Sequence, residues 1–211
     1  MREKKYLSST LGSRKGADSL YDFLVTKTTS VLAPKMDCDP GSATYDKLRY
    51  GTHVFYINAL KTLLLVVVAL ILRILPYVAA FALAYGALRL FSFGVHLNNN
   101  LLCTAIGMAY YLGSVYLSLY VGIPLAIMVI LLLLSIVCFA LYAPAQTKKR
   151  PIPEYQRKKL KRKSLITLTV VVCSAFALYQ PFPVFSSLVC MAAVCQSVNL
   201  LPMTYKIFKE I

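Results

Sequence analysis

From Tyr50 onward apolar residues dominate the chain, in runs broken by proline, glycine, asparagine or clusters of basic residues. A helix rises 1.5 Å per residue, so about 20 apolar residues cross the hydrocarbon core. The pattern predicts six spans, at 51–72, 77–91, 101–120, 124–142, 165–179 and 184–201. Proline ends helices because it lacks the amide donor; Arg73 to Pro76, Gly122-Ile123-Pro124 and Pro181-Phe182-Pro183 therefore read as breaks. The fourth break is polar, at Asn98-Asn99-Asn100. The fifth run is short, and its start draws on Lys163 and Ser164 by snorkelling. Residues 1–49 are polar, with an Asp39-Pro40-Gly41 turn signal and a weakly amphipathic stretch at 20–32 that reads as a short interfacial helix. The expected organisation is an N-terminal segment, 1–49, and an all-α polytopic membrane domain, 50–211, carrying a basic cytoplasmic loop at 143–164.

Composition agrees: 58% hydrophobic and 15% charged residues are too apolar and too charge-poor for an ordinary soluble domain. The charges are segregated. Ten of the 23 Lys and Arg lie before residue 62, nine between 148 and 163 and two near the C-terminus, which leaves Arg73 and Arg89 alone. Basic flanks stay in the cytoplasm, so the N-terminal segment, the 91–100 turn, the basic loop and the C-terminus fall on one side, with Arg73 opposite. Four spans with re-entrant pieces would give the same sidedness. A net charge of +15 can signal nucleic acid, but here the cations flank apolar runs, where they orient the chain and attract anionic lipid. No nucleic-acid partner is expected, and no cleavable signal peptide is visible at the N-terminus.

Between Asp46 and Glu210 the only carboxylate is Glu154, so no Asp or Glu serves chemistry inside the expected spans. That leaves thiols and imidazoles. Cys138, Cys173, Cys190 and Cys195 sit in apolar runs, where cysteine behaves as a small hydrophobe. Cys38 stands between Asp37 and Asp39, whose charges disfavour a thiolate. No cysteine has the spacing to histidine of a zinc site, and no metal or other cofactor is called for. Cys103 differs, because it follows the asparagine break seven residues after His96, one of two histidines. On one continuous helix the two would be about 10.5 Å apart along the axis, too far for proton transfer. A break between them removes that difficulty: His96 ends one span, and Cys103 lies in the first turn of the next, where amide donors and the helix dipole favour negative charge. The alternative is a polar turn with an incidental thiol. Arg89 is either a functional cation near the membrane boundary or a residue snorkelling to headgroups. Lys148, Lys149 and Arg150 are an orientation signal or the receptor of an acidic peptide. His53 reads as a helix-end polar residue.

Arg89-Leu-Phe-Ser-Phe-Gly-Val-His96, followed by Cys103, resembles the accessory gene regulator B family of Gram-positive quorum-sensing systems. The segment from Tyr142 through Ala-Pro-Ala-Gln-Thr-Lys-Lys-Arg to Pro151 is similar to that family's basic-loop opening, and Tyr50-Gly51 is a weaker match. The resemblance implies a multi-pass cell-membrane cysteine endopeptidase that cuts a small amphipathic pro-peptide and helps convert it to a cyclic thiolactone or lactone signal. It implies Cys103 as nucleophile and His96 as base, while Arg89, Lys148, Lys149 and Arg150 occupy positions that family also keeps basic; from their charge they read as substrate-binding cations. Two departures are Phe93-Gly94, where the family often has two glycines, and His53, where it often has an acid or amide. With no carboxylate at hand, a group orienting His96 must be neutral; Ser92, Asn98 to Asn100 and backbone carbonyls are candidates. A second copy of the chain is a further candidate partner. The rival class is a non-catalytic membrane protein, such as a small exporter or lipid-binding assembly factor.

The six-span reading sets a topology. Lys158 and Lys209 face the cytoplasm and Arg73 lies near the outer face, and cysteine-accessibility labelling of single-Cys variants reads this out. Labelling of position 158 from outside intact cells would refute it.

Overall fold

The computed structural model describes residues 17–36, 39, 41–94, 100–145 and 154–207. They form eight α-helices: α1 Ala17–Leu32, α2 Ala43–Ile71, α3 Leu75–Ser92, α4 Asn100–Tyr120, α5 Leu125–Tyr142, α6 Glu154–Tyr179, α7 Pro183–Leu200 and α8 Pro202–Ile207. No named strand occurs among the described residues. Two compact units divide between Leu65 and Val66.

In the first unit, α1 occupies the stretch expected to be a short interfacial helix, with Val25 and Thr29 buried on one face. The turn signal before α2 is realised at Gly41, whose φ of +96° suits a residue without a Cβ. Ser42 caps α2, its Oγ accepting the Tyr45 amide at 3.1 Å. The Thr28 and Tyr56 hydroxyls meet at 2.8 Å.

The second unit holds α3 to α8 and the last residues of α2. Its organising element is α7, which packs against α3, α4, α5 and α6. Small residues permit this: Ser186, Ser187, Cys190, Ala192, Ala193 and Ser197 are all buried. Between spans, small side chains allow close backbone approach where apolar burial gives no net drive. Around Ala193 the core gathers Leu88, Met128, Leu132, Phe139 and Leu168. Outward faces are apolar too: Ile127, Ile130, Leu134 and Leu141 of α5 are exposed, as a lipid-facing helix requires.

Several hydroxyls on the spans turn back on their own helices, as Ser135 Oγ does to Leu131 O at 2.9 Å. Amides at helix ends are met from neighbouring helices instead. Ile123 N donates to Ser187 Oγ at 3.2 Å and Leu125 N to Tyr179 Oη at 3.1 Å, which satisfies the start of α5.

The proline and glycine breaks fall where expected, by specific means; Asn98 and Asn99 of the asparagine break lie outside the described residues. Arg73, with φ of 58°, takes the left-handed position that ends a helix, and Pro76 enters the first turn of α3, where its missing amide costs nothing. Gly122, with φ of 67°, ends α4. Among the described residues, five helices are long and apolar enough to cross a membrane: α2, α3, α5, α6 and α7. At the place of the expected third span, α4 supplies 21 residues without Asp, Glu, Lys or Arg. The chain is an all-α polytopic membrane protein.

Two helix starts differ. α2 begins at Ala43 rather than at 51. The expected loop 143–164 is helical from Glu154, because α6 begins there rather than at 165. Lysine, arginine and glutamine are good helix formers, and Glu154 in the first turn complements the positive helix end. The Lys163 ammonium stands 5.5 Å from the centre of the Phe91 ring, a cation over an aromatic face.

Enlarging the contact at the centre of α7 should be felt. Ala193→Leu overfills a fully buried site and is expected to cost about 1–3 kcal/mol, while Ala126→Leu on the exposed face of α5 is neutral. Fluorescence-detected size exclusion after graded heating in detergent compares the two. Equal midpoints would contradict the central placement of α7.

Candidate functional site

The cytoplasmic-loop and dyad residues expected from sequence fall unevenly on the described chain. Arg89 and Cys103 are described; His96 and the cations Lys148, Lys149 and Arg150 lie outside the described residues, as does Cys38. What is visible is the frame from which their segments depart.

That frame is built on Ser92, Phe93 and Gly94 after α3. Ala145 N donates to Ser92 O at 3.0 Å, and Phe93 and Ala145 form an isolated parallel bridge. The segment leading to His96 and the one leading to Lys148 therefore leave the described chain from adjoining stretches of backbone. A buried amide of α7 fastens the frame: Gln196 Nε2 donates to Ser92 Oγ at 2.7 Å and to Phe93 O at 2.6 Å. Ser92 Oγ itself donates to Leu88 O at 2.7 Å. Its proton is thus committed inward, which bears on its candidacy as a group orienting His96. Gly94 has φ of +130°, which side-chain-bearing residues rarely adopt, and a Cβ there would rest 3.5 Å from both Asn199 and Gln196. The Gln196 Oε1 atom is buried with no hydrogen-bond partner among the described residues.

Cys103 lies in the first turn of α4, half-buried, with a free thiol. Helical spacing places Gly107, Tyr110 and Ser114 on the same face. Ser114 Oγ lies 3.7 Å from Cys195 Sγ, so this face of α4 addresses α7. The other described cysteines differ from Cys103: Cys138, Cys190 and Cys195 are buried and Cys173 is exposed, all well inside their helices. Cys138 Sγ donates to Ser197 O at 3.3 Å, as an interior thiol does.

Arg89 projects from the last turn of α3 and is held by Tyr85. Its Nη1 donates to Tyr85 Oη at 2.6 Å, and the guanidinium carbon stands 5.8 Å from the centre of the same ring. From α7, Asn199 Nδ2 donates to Tyr85 Oη at 2.9 Å and to Cys195 O at 3.1 Å. Cys103 and Cys195 both lie within electrostatic reach of Tyr85. Sequence reasoning named Arg89 and Cys103 but passed over Tyr85, Gln196 and Asn199. The available signal was the amide side chains inside an apolar run, which must find partners within the membrane.

The family model for accessory gene regulator B matches residues 26–200. The chain belongs to the accessory gene regulator B family. Similar relatives include the accessory gene regulator protein B of Staphylococcus carnosus, 29% identical over 65% of this chain and 72% of the relative. That of Staphylococcus haemolyticus is 30% identical over 75% of this chain and 83% of the relative. An AgrB-like protein of Listeria innocua is 31% identical over 79% of this chain and 81% of its own length. No solved structure matches. The resemblance drawn from 89–103 and 142–151 therefore holds as family membership, which ties the chain to accessory gene regulator quorum sensing.

Proposed function

We propose that this chain is a membrane-embedded cysteine endopeptidase that cleaves a small amphipathic quorum-sensing pro-peptide and cyclises the product. The observation that carries the reading is the placement of Cys103. It is the described cysteine that stands half-buried in the first turn of a span, where helix-end amides face the charge of a thiolate. His96 precedes it by seven residues, and two peptide units separate His96 from the fastened Gly94.

The reaction divides one amide cleavage into two acyl transfers, first to Cys103 and then to a thiol or hydroxyl of the peptide. His96 takes the Cys103 proton, and the sulfur attacks the scissile carbonyl carbon. The C–N bond breaks, the leaving amine takes the proton from the imidazolium, and a peptide thioester remains on Cys103. A thiol or hydroxyl within the bound peptide then attacks the thioester, forming a thiolactone or lactone ring and returning Cys103 to the thiol. An apolar setting favours ring closure over hydrolysis because it keeps water scarce. Lys148, Lys149 and Arg150 attract an acidic segment of the peptide, and Arg89 contributes a further cation on the side of α3. With the basic loop and termini in the cytoplasm, the thiol stays reduced.

Replacement series test this. Cys103→Ala abolishes cleavage with expression and insertion retained, His96→Ala inactivates, and Cys103→Ser lowers processing by orders of magnitude with no trapped thioester. Ala or Ser at Cys138, Cys173, Cys190 and Cys195 has much smaller effects. The readouts are anti-tag detection of pro-peptide cleavage in cells and mass spectrometry for a thioester on Cys103. Full processing by Cys103→Ala would leave the exporter or assembly-factor reading.

The loop cations call for a separate measurement. Replacing Lys148, Lys149 and Arg150 together by Gln is expected to raise the apparent KM more than it lowers turnover, with the difference shrinking as salt rises. Normal processing with impaired insertion would reduce these cations to an orientation signal.

A further inference from the structure

Tyr85 is placed as a hydrogen-bond donor without an acceptor among the described residues. Its side chain is 6% exposed. The ring is set by aromatic neighbours: the Phe81 centroid is 5.7 Å away and nearly parallel at 11°, and the Tyr111 centroid is 6.0 Å away, edge-on at 74°. Its oxygen accepts from Arg89 Nη1 and from Asn199 Nδ2. Neither partner can take a proton in return. A guanidinium has only donors. The Asn199 amide is fixed in orientation by its second bond, since exchanging its oxygen and nitrogen would set an acceptor against the carbonyl of Cys195. The phenolic O–H is therefore left over, buried, beside a cation. A buried donor without an acceptor is costly, and a proton beside a guanidinium suits an anionic oxygen best.

The face of α4 that carries Cys103 is open one turn further along. Gly107 lies one turn further along α4 on the Cys103 face, and a Cβ there would meet nothing within 4 Å. Tyr110, on the same face, is within electrostatic reach of both Tyr85 and Arg89. A substrate side chain laid over Gly107 would pass the thiol on its way to the Tyr85–Arg89 pair.

We infer that Tyr85 and Arg89 form a carboxylate-binding subsite for the peptide, entered over Gly107, with Asn199 as the positioning residue that aims the Tyr85 hydroxyl. The inference rests on the peptide-processing reading for the nature of the ligand. It deepens that reading by assigning one substrate carboxylate to the α3–α4 face, separate from those drawn to the basic loop.

The test measures affinity rather than turnover, with the full chain carrying Cys103→Ala in lipid nanodiscs. The probe is a fluorescein-labelled synthetic amphipathic peptide with a central cysteine and a tail of four glutamates, together with four versions in which one glutamate is made glutamine. Tyr85→Phe keeps the ring and its stacking while removing the proton. It is expected to raise Kd about ten-fold for the parent peptide, and to change nothing further for the one version lacking the seated carboxylate. Asn199→Leu raises Kd with the same peptide dependence. Gly107→Leu closes the entry and does likewise; it favours the helix, so it decides the matter should Tyr85→Phe fail to fold. Unchanged Kd in Tyr85→Phe or Gly107→Leu, or an equal rise for every peptide in the series, overturns the inference. Cleavage by Cys103→Ala would be the failure of the peptidase reading alone and would leave these affinities standing.

Discussion

In hydrocarbon no water is at hand to take a hydrogen bond, so a polar group on a span must find its partner within the protein. That constraint falls most heavily on α7, which is the most enclosed of the candidate spans and yet carries Ser186, Ser187, Gln196, Ser197 and Asn199. Each is turned to use. Ser186 Oγ donates to Ala175 O at 2.7 Å across to α6, Ser187 accepts from the α4–α5 turn, Ser197 Oγ donates to Ala193 O, and Gln196 and Asn199 reach α3. The helix is small enough along its length to be surrounded, and its polar groups, spread around its circumference, fix what surrounds it.

The consequence for the site is rigidity at a place where a chain would otherwise be loose. Phe93 holds a positive φ of 60°, unfavourable for a residue with a Cβ unless neighbours determine it, and Gly94 follows with φ of 130°, open to glycine. Gln196 supplies that determination from α7 and Ala145 from the end of α5. The departure from the family's glycine pair is absorbed here, since Phe93 adopts a positive-φ conformation that a glycine would take without cost, while Gly94 keeps the one position where the backbone lies against α7.

The spans were legible in the sequence because their causes are local: a bilayer sets the length, and Pro76, Gly122 and Pro183 set the ends. The start of α6 was not, since a run of charges reads as solvated loop although lysine and arginine do not break a helix. Cys103 and Arg89 were legible through their place in a motif. Tyr85, Gln196 and Asn199 were not, for a topological reason. An amide in an apolar run announces that it has a partner, but Gln196 bonds a residue 104 positions away and Asn199 one 114 positions away. Periodicity and spacing speak only within one element, and these pairs exist only once α7 has packed against α3.

On the proposed peptidase reading, surroundings rather than residue type set Cys103 apart from Cys195. Both lie within electrostatic reach of Tyr85. Cys195 is 7% exposed, stands in the body of α7 with Ser114 beside its sulfur, and its own carbonyl is occupied by Asn199. A substrate carbonyl would have to prise α4 away from α7 to reach it. Cys103 stands at the end of a helix, where amide groups have no intrahelical acceptor, half-open and with the unfilled space of Gly107 beneath it. In a chain whose described spans carry carboxylates only in the first turns of α2 and α6, charge separation elsewhere has to be supported by helix ends, hydroxyls and amides. On the proposed peptidase reading Cys103 has the helix end, and Tyr85 within electrostatic reach, for that support.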